Sequence, residues 1–138
     1  IAVGDFNGDG KLDFLTANIS GDTVSVRFGN GAGVFIGSTN VSVGDGPGHV
    51  VTGDFDADGD LDFAVSNQNA GTVSVRLNDG AGNFSGTTEI TVGANPEFLA
   101  LGDFNKDGKL DFVTSNQSSK TLSIRFGDGL GDFTGSTN

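Results

Sequence analysis

One acidic motif recurs three times along this 138-residue chain at a fixed interval of 49 residues, and that recurrence limits the possible folds more than any other feature. Its copies read Asp5-Phe-Asn-Gly-Asp-Gly-Lys-Leu-Asp13-Phe14, Asp54-Phe-Asp-Ala-Asp-Gly-Asp-Leu-Asp62-Phe63 and Asp103-Phe-Asn-Lys-Asp-Gly-Lys-Leu-Asp111-Phe112. A unit of this length is one supersecondary element that hides its apolar side against its neighbours. The array is therefore the structural unit, divided into repeats 1–49, 50–98 and 99–138. The third repeat is incomplete, lacking the counterparts of residues 41–49.

In the middle copy five carboxylates fall on alternate residues, Asp54, Asp56, Asp58, Asp60 and Asp62. Carboxylates this close repel one another unless something neutralises them. A hard cation answers that need, and Ca²⁺ suits a flexible oxygen cage better than the smaller Mg²⁺. The chain carries a formal charge of −11, and three Ca²⁺ ions, one per repeat, would bring it to −5. Most of the acidity is thus local to the loops. No basic cluster stands ready for phosphate, so nucleic acid is not an expected partner. No apolar run is long enough to span a bilayer as a helix, so membrane insertion is not expected. The absence of cysteine excludes disulfides and thiolate metal sites. The chain opens in mid-pattern at Ile1, as a processed or excised segment would.

Each repeat begins with a short apolar segment (1–4, 50–53, 99–102) read as a buried strand, followed by the acidic loop and a second strand (12–18, 61–67, 110–116). The third strand has strict alternation: Val24, Val26 and Phe28 share one face, and Thr23, Ser25 and Arg27 the other. A glycine-rich turn (29–33, 78–82, 127–131) follows, with Asn-Gly or Asp-Gly supplying the positive φ of a tight hairpin. The fourth strand starts at Phe35, Phe84 or Phe133, and a loop holding Pro47 or Pro96 is expected to lead onward. No window has a helical pattern. The fold class is all-β: three four-stranded antiparallel repeats that point to β-propeller blades, with the recurring phenylalanines packed between them.

The Gly-Asp-Phe-Asn-Gly-Asp-Gly-Lys-Leu-Asp-Phe signature, the Thr-Val-Ser-Val strand and the Gly-Asn-Gly-x-Gly-x-Phe turn resemble the FG-GAP/VCBS repeats of integrin α-subunit propellers and bacterial surface proteins. The resemblance covers all three units. It implies a bladed propeller with Ca²⁺ between the first and second strands of each blade. Matched by position, it implies side-chain ligands Asp5, Asn7, Asp9 and Asp13 with the Lys11 carbonyl. The second loop would use Asp54, Asp56, Asp58 and Asp62 with the Asp60 carbonyl. The third would use Asp103, Asn105, Asp107 and Asp111 with the Lys109 carbonyl. Gly10, Gly59 and Gly108 allow the sharp turn around the ion. An EF-hand is excluded, because its twelfth loop position would hold Thr16, Val65 or Thr114 in place of glutamate. A nonapeptide β-roll period is absent as well. The middle loop, with the most carboxylates, is expected to bind tightest.

The expected function is a calcium-stabilised extracellular module, secreted or at the cell surface, for adhesion, scaffolding or structural assembly, and not an enzyme. A lectin-like glycan-binding propeller is the alternative, weakened by the absence of Trp and Tyr. A repeat domain attached to a secreted carbohydrate-active enzyme is a second alternative, requiring a residue that breaks the repetition, such as His49, Glu89 or Glu97. Arg27, Arg76 and Arg125 are expected to contact a neighbouring blade and not an anionic ligand. Asn18, Asn67 and Asn116 are expected to form turns. Asn18, Asn40, Asn83 and Asn116 match the N-glycosylation pattern. Three units leave two apolar end faces, to be covered by neighbouring repeats or identical chains in a ring, an oligomer or a filament. Extracellular protein and glycan are the candidate outside ligands.

Overall fold

A computed structural model describes residues 1–137, apart from the side chains of Ser38 and Thr137. Twelve strands form three separate four-stranded antiparallel sheets, and no helix occurs among the described residues. The first sheet is β1 (Ala2–Gly4), β2 (Asp13–Asn18), β3 (Thr23–Gly29) and β4 (Phe35–Ser42). The second is β5 (Pro47–Gly53), β6 (Asp62–Asn67), β7 (Thr72–Asn78) and β8 (Phe84–Thr91). The third is β9 (Pro96–Gly102), β10 (Asp111–Asn116), β11 (Thr121–Gly127) and β12 (Phe133–Thr137), each sheet keeping its strands in sequence order. Asn138, the last residue of the third repeat, lies outside the described residues.

The alternation along each strand decides how the sheets stack. On the first sheet Leu15, Val24, Val26 and Phe28 share one face with Phe6, and they pack against Val50, Phe63 and Val65 of the second sheet. The second sheet repeats this on its far side: Phe55, Ala64, Val73 and Val75 meet Leu99 and Phe112 of the third. Every sheet therefore has a leading face towards its predecessor and a trailing face towards its successor. Two cores form between sheets and none within one. Phe63 and Phe112 are fully buried, each against a second ring (Phe84 at 5.0 Å and Phe133 at 5.1 Å). Gly4 and Gly53 make the fit close, since a Cβ on either would stand 2.7 Å from Cδ1 of Leu61 or Leu110 on the following sheet.

One expectation needs correction. Pro47 and Pro96 do not lie in loops but open β5 and β9, which begin three residues earlier than the apolar pattern predicts. Proline is tolerated at the first residue of an edge strand because no ladder donor is missed there. An extra residue between Pro47 and Val50, and between Pro96 and Leu99, then bulges each strand and restores the register. Phe98, at the place that His49 holds in the repeat before, meets the ring of His49 edge-on at 5.5 Å.

Candidate metal centre

The three acidic loops join the first strand of each sheet to the second, and all three close in the same way. In the first, the Asp9 amide donates to Asp5 Oδ1 at 3.2 Å and to Asn7 Oδ1 at 3.1 Å. In the second, the Asp58 amide donates to Asp54 Oδ1 at 3.2 Å and Asp56 Oδ1 at 3.3 Å. In the third, the Asp107 amide donates to Asp103 Oδ1 at 3.1 Å and Asn105 Oδ1 at 3.0 Å. The first and third loop positions thus converge on one amide, and the next amide (Gly10, Gly59, Gly108) donates to the other oxygen of the first aspartate. Gly10, Gly59 and Gly108 take φ of 78°, 98° and 84°, and a Cβ there would meet nothing within 4 Å. Glycine is required by the left-handed backbone and not by space.

Oxygens of Asp54, Asp56 and Asp58 lie within 4.8 Å of one another, a grouping that fits a divalent cation held by hard oxygen donors. Burial, with Asp58 beside it, raises the Asp56 carboxyl above its ordinary value. In the first loop the Lys11 ammonium stands 2.9 Å from Asp9 Oδ2, and its hydrogen bond holds the Asp9 carboxyl below the usual range. The side chain of Lys11, and equally that of Lys109, borders the hairpin turn at Gly31 or Gly129, where the second loop presents Asp60 to Gly80.

The last aspartate of each loop has a distinct setting. Asp13, Asp62 and Asp111 are fully buried. Asp13 accepts from the amides of Phe6 (2.9 Å) and Gly29 (2.8 Å), one on each oxygen. Asp62 likewise binds Phe55 N and Asn78 N, both at 2.8 Å, and Asp111 binds Phe104 N (2.7 Å) and Gly127 N (2.9 Å). Each thereby clamps the start of the loop to the end of the third strand, and each oxygen keeps a lone pair for a cation. Burial pushes the Asp62 carboxyl up to about 6, against the two amide bonds that pull it down.

Arg76 and Arg125 reach the preceding sheet: Arg76 Nε donates to the Ser42 carbonyl at 3.1 Å and Arg125 Nη2 to the Thr91 carbonyl at 2.5 Å. Arg76 also pairs with Glu89 at 2.7 Å. Arg27, on the first sheet, bonds the carbonyls of Val26 and Thr39. The asparagines that end the second strands open the turns, the carbonyls of Asn18 and Asn67 accepting from the Gly21 and Gly71 amides at 2.9 Å. The side chains of Asn18, Asn67 and Asn116 also donate across the sheet to Thr23 and Ser25, Thr72 and Ser74, and Thr121 and Ser123. Asn116 is also buried, which withholds it from glycosylation, whereas Asn40 and Asn83 are exposed. His49 Nδ1 accepts from the Leu99 amide at 3.2 Å, and burial lowers its pKa. The sequence reading missed Asn78, whose amide nitrogen donates to the Phe6 carbonyl of the preceding sheet. Its one signal is an Asn where the other repeats have Gly29 and Gly127.

A family model for the FG-GAP-like repeat matches residues 5–65 and again 54–114. The chain belongs to the FG-GAP-like repeat family, and each match runs from one acidic loop through the next. No curated protein and no solved structure matches the chain.

Proposed function

We infer that the chain is a set of propeller-type blades in which Ca²⁺ staples the first two strands of each, serving adhesion, scaffolding or assembly outside the cell. The observation that carries this reading is the shared closure of the three loops, which gathers the oxygens of the first and third positions onto one amide. Asp5, Asn7, Asp9 and Asp13, Asp54, Asp56, Asp58 and Asp62, and Asp103, Asn105, Asp107 and Asp111 would hold the ions, with the carbonyls of Lys11, Asp60 and Lys109. A bound ion supplies positive charge that offsets carboxylate repulsion. Loops this open to solvent suit the weak end of Ca²⁺ affinity, roughly 10⁻⁴–10⁻³ M, a range saturated only where calcium is millimolar, as outside cells. The ring contact of His49 with Phe98 and its bond from Leu99 support a packing role and not catalysis.

Thermal melts in millimolar Ca²⁺ and in chelator test the reading. Ions that bind only the folded loops contribute RT ln(1 + [Ca²⁺]/Kd), about 0.4–1.4 kcal/mol per site at 1 mM over this range of Kd, so three sites together should raise the melting temperature clearly. Identical melts in the two conditions would refute it.

A further inference from the structure

Resting on the calcium reading of the loops, we propose that Asn78 couples the first two of them, so that an ion held in one raises the affinity of the other. Asn78 is buried at the junction of the first and second sheets. Its backbone amide holds Asp62, the last carboxylate of the second loop, at 2.8 Å. Its side-chain nitrogen holds the Phe6 carbonyl at 3.0 Å and the Leu61 carbonyl at 3.2 Å. Those carbonyls belong to the peptides that enter Asn7 and Asp62, one ligand position in each loop. The Phe6 amide in turn holds Asp13, the last carboxylate of the first loop, at 2.9 Å. Asp13, Phe6, Asn78 and Asp62 thus form one chain of contacts between the loops, and all four are buried. Water does not reach these groups to replace a broken bond, so a shift at one end is passed along and not absorbed.

The sign of the coupling follows from ordering. Closing a loop gathers the oxygens of its first and third positions on one amide and fixes the peptide that Asn78 holds. The other loop then orders against an anchor already in place, and its closure costs less. An ion that favours the closed form of one loop therefore favours the closed form of both. The junction of the second and third sheets is a contrast within the same chain. Gly127 stands at the place of Asn78 and offers Asp111 only its backbone amide, at 2.9 Å. The Phe55 carbonyl, counterpart of Phe6, is held instead by the Gly131 amide at 3.2 Å. In the second sheet the counterpart of Gly131 is Gly82, whose amide goes to Asn78 Oδ1 at 3.1 Å. One residue grips both loops at the first junction, and two separate residues share the task at the second.

The test follows Ca²⁺ titrations of the 138-residue chain by two-dimensional NMR. Its reporters are the amides of Gly10, Gly59 and Gly108, each bonded to the first aspartate of its loop. Asp58→Ala cripples the second loop at an exposed position. It should move the Gly10 midpoint to calcium about fivefold higher or more, the lower end of ordinary coupling, and the Gly108 midpoint by less than about twofold. Asp9→Ala should move the Gly59 midpoint by the same factor, because coupling between binding sites is reciprocal. In an Asn78→Gly background, which copies the first and third sheets, Asp58→Ala should leave the Gly10 midpoint in place. In chelator the tie should show without any ion: Asn78→Gly should speed hydrogen exchange at the Phe6 and Phe55 amides and not at Phe104. The two alanine variants decide the coupling on their own should Asn78→Gly not fold. No calcium-dependent shift at any of the three glycines would overturn both the coupling and the calcium reading. Shifts whose midpoints ignore the state of the other loop would overturn the coupling alone. So would unequal factors in the two directions, a Gly10 shift that survives Asn78→Gly, or unchanged exchange at Phe6.

Discussion

The side-chain amide of Asn78 donates to the Phe6 carbonyl at 3.0 Å, joining residues 72 positions apart, while its backbone amide donates to Asp62 Oδ1 at 2.8 Å. One residue thus grips the loop of its own sheet and the loop of the sheet before. Its nitrogen also reaches the Leu61 carbonyl, and its oxygen accepts from the Gly82 amide at 3.1 Å. Asn78→Ala strips partners from three backbone groups, two of them in buried bonds, and should cost about 1–3 kcal/mol in urea unfolding. The reverse graft fails for a different reason: a Cβ on Gly29 would stand 2.1 Å from the Leu12 carbonyl oxygen, so Gly29→Asn should destabilise despite copying the second sheet. An Asn78→Ala variant as stable as wild type would show the tie to be idle.

The seventh loop position grades the three metal loops. Lys11 holds a positive charge 2.9 Å from Asp9 Oδ2, and the second loop has Asp60 in that place. At the exposed rim a unit charge a few ångströms from the ion is worth about 1 kcal/mol. Reversing its sign changes the interaction by about 2 kcal/mol and should therefore change affinity by about thirtyfold. Lys11→Asp should tighten the first loop and Asp60→Lys should loosen the second, as read by calorimetric Ca²⁺ titration. Equal affinities in both variants and wild type would remove the seventh side chain from the account.

The fourth loop position also turns left-handed, and only one repeat has the residue suited to it. Gly8 takes φ 71°, whereas Ala57 and Lys106 take 63° and 64°. A non-glycine residue there carries strain of order 1 kcal/mol. Lys106→Gly should raise stability by up to about 1 kcal/mol, less the entropy that glycine adds to the unfolded chain. Gly10→Ala should cost about as much. Chemical denaturation decides both, and a destabilised Lys106→Gly would indicate that the lysine side chain has a folded-state role.

Strand alternation and the 49-residue period placed nearly every strand, because both faces of the middle sheet are buried and the apolar positions had to repeat. The same logic located the loop glycines, whose positive φ has no cheap substitute. It failed at Pro47 and Pro96, where a missing donor reads as a loop unless the strand is known to lie at an edge. It did not foresee the clamp that Asp13, Asp62 and Asp111 form. The family resemblance implies that they are metal ligands, but their two amide partners come from residues 7 positions before and 16 after, a contact made only by folding. Asn78 was illegible for a related reason. A departure from the repeat shows that a position differs, and only the neighbouring sheet shows what it touches.

Acidity should act on the chain in opposite senses with and without calcium. Burial holds Asp62 at about 6 and raises Asp56, so between the unfolded value of 3.8 and about 6 the folded chain binds more protons than the unfolded one. Stability from these two groups is full below that window and is lost as pH rises through it. Asp9, lowered by Lys11, loses its contribution only below 3.8 and does not interfere. His49, lowered from 6.5 by burial, works against the trend when it protonates, so the comparison belongs in a His49→Gln background. In chelator, melts of that variant should rise as pH falls from 7 to 5. In millimolar Ca²⁺ protons and ions compete for the same oxygens, and the melts should fall over the same range. Slopes of one sign in both media would mean that the ion does not bind through Asp56 and Asp62.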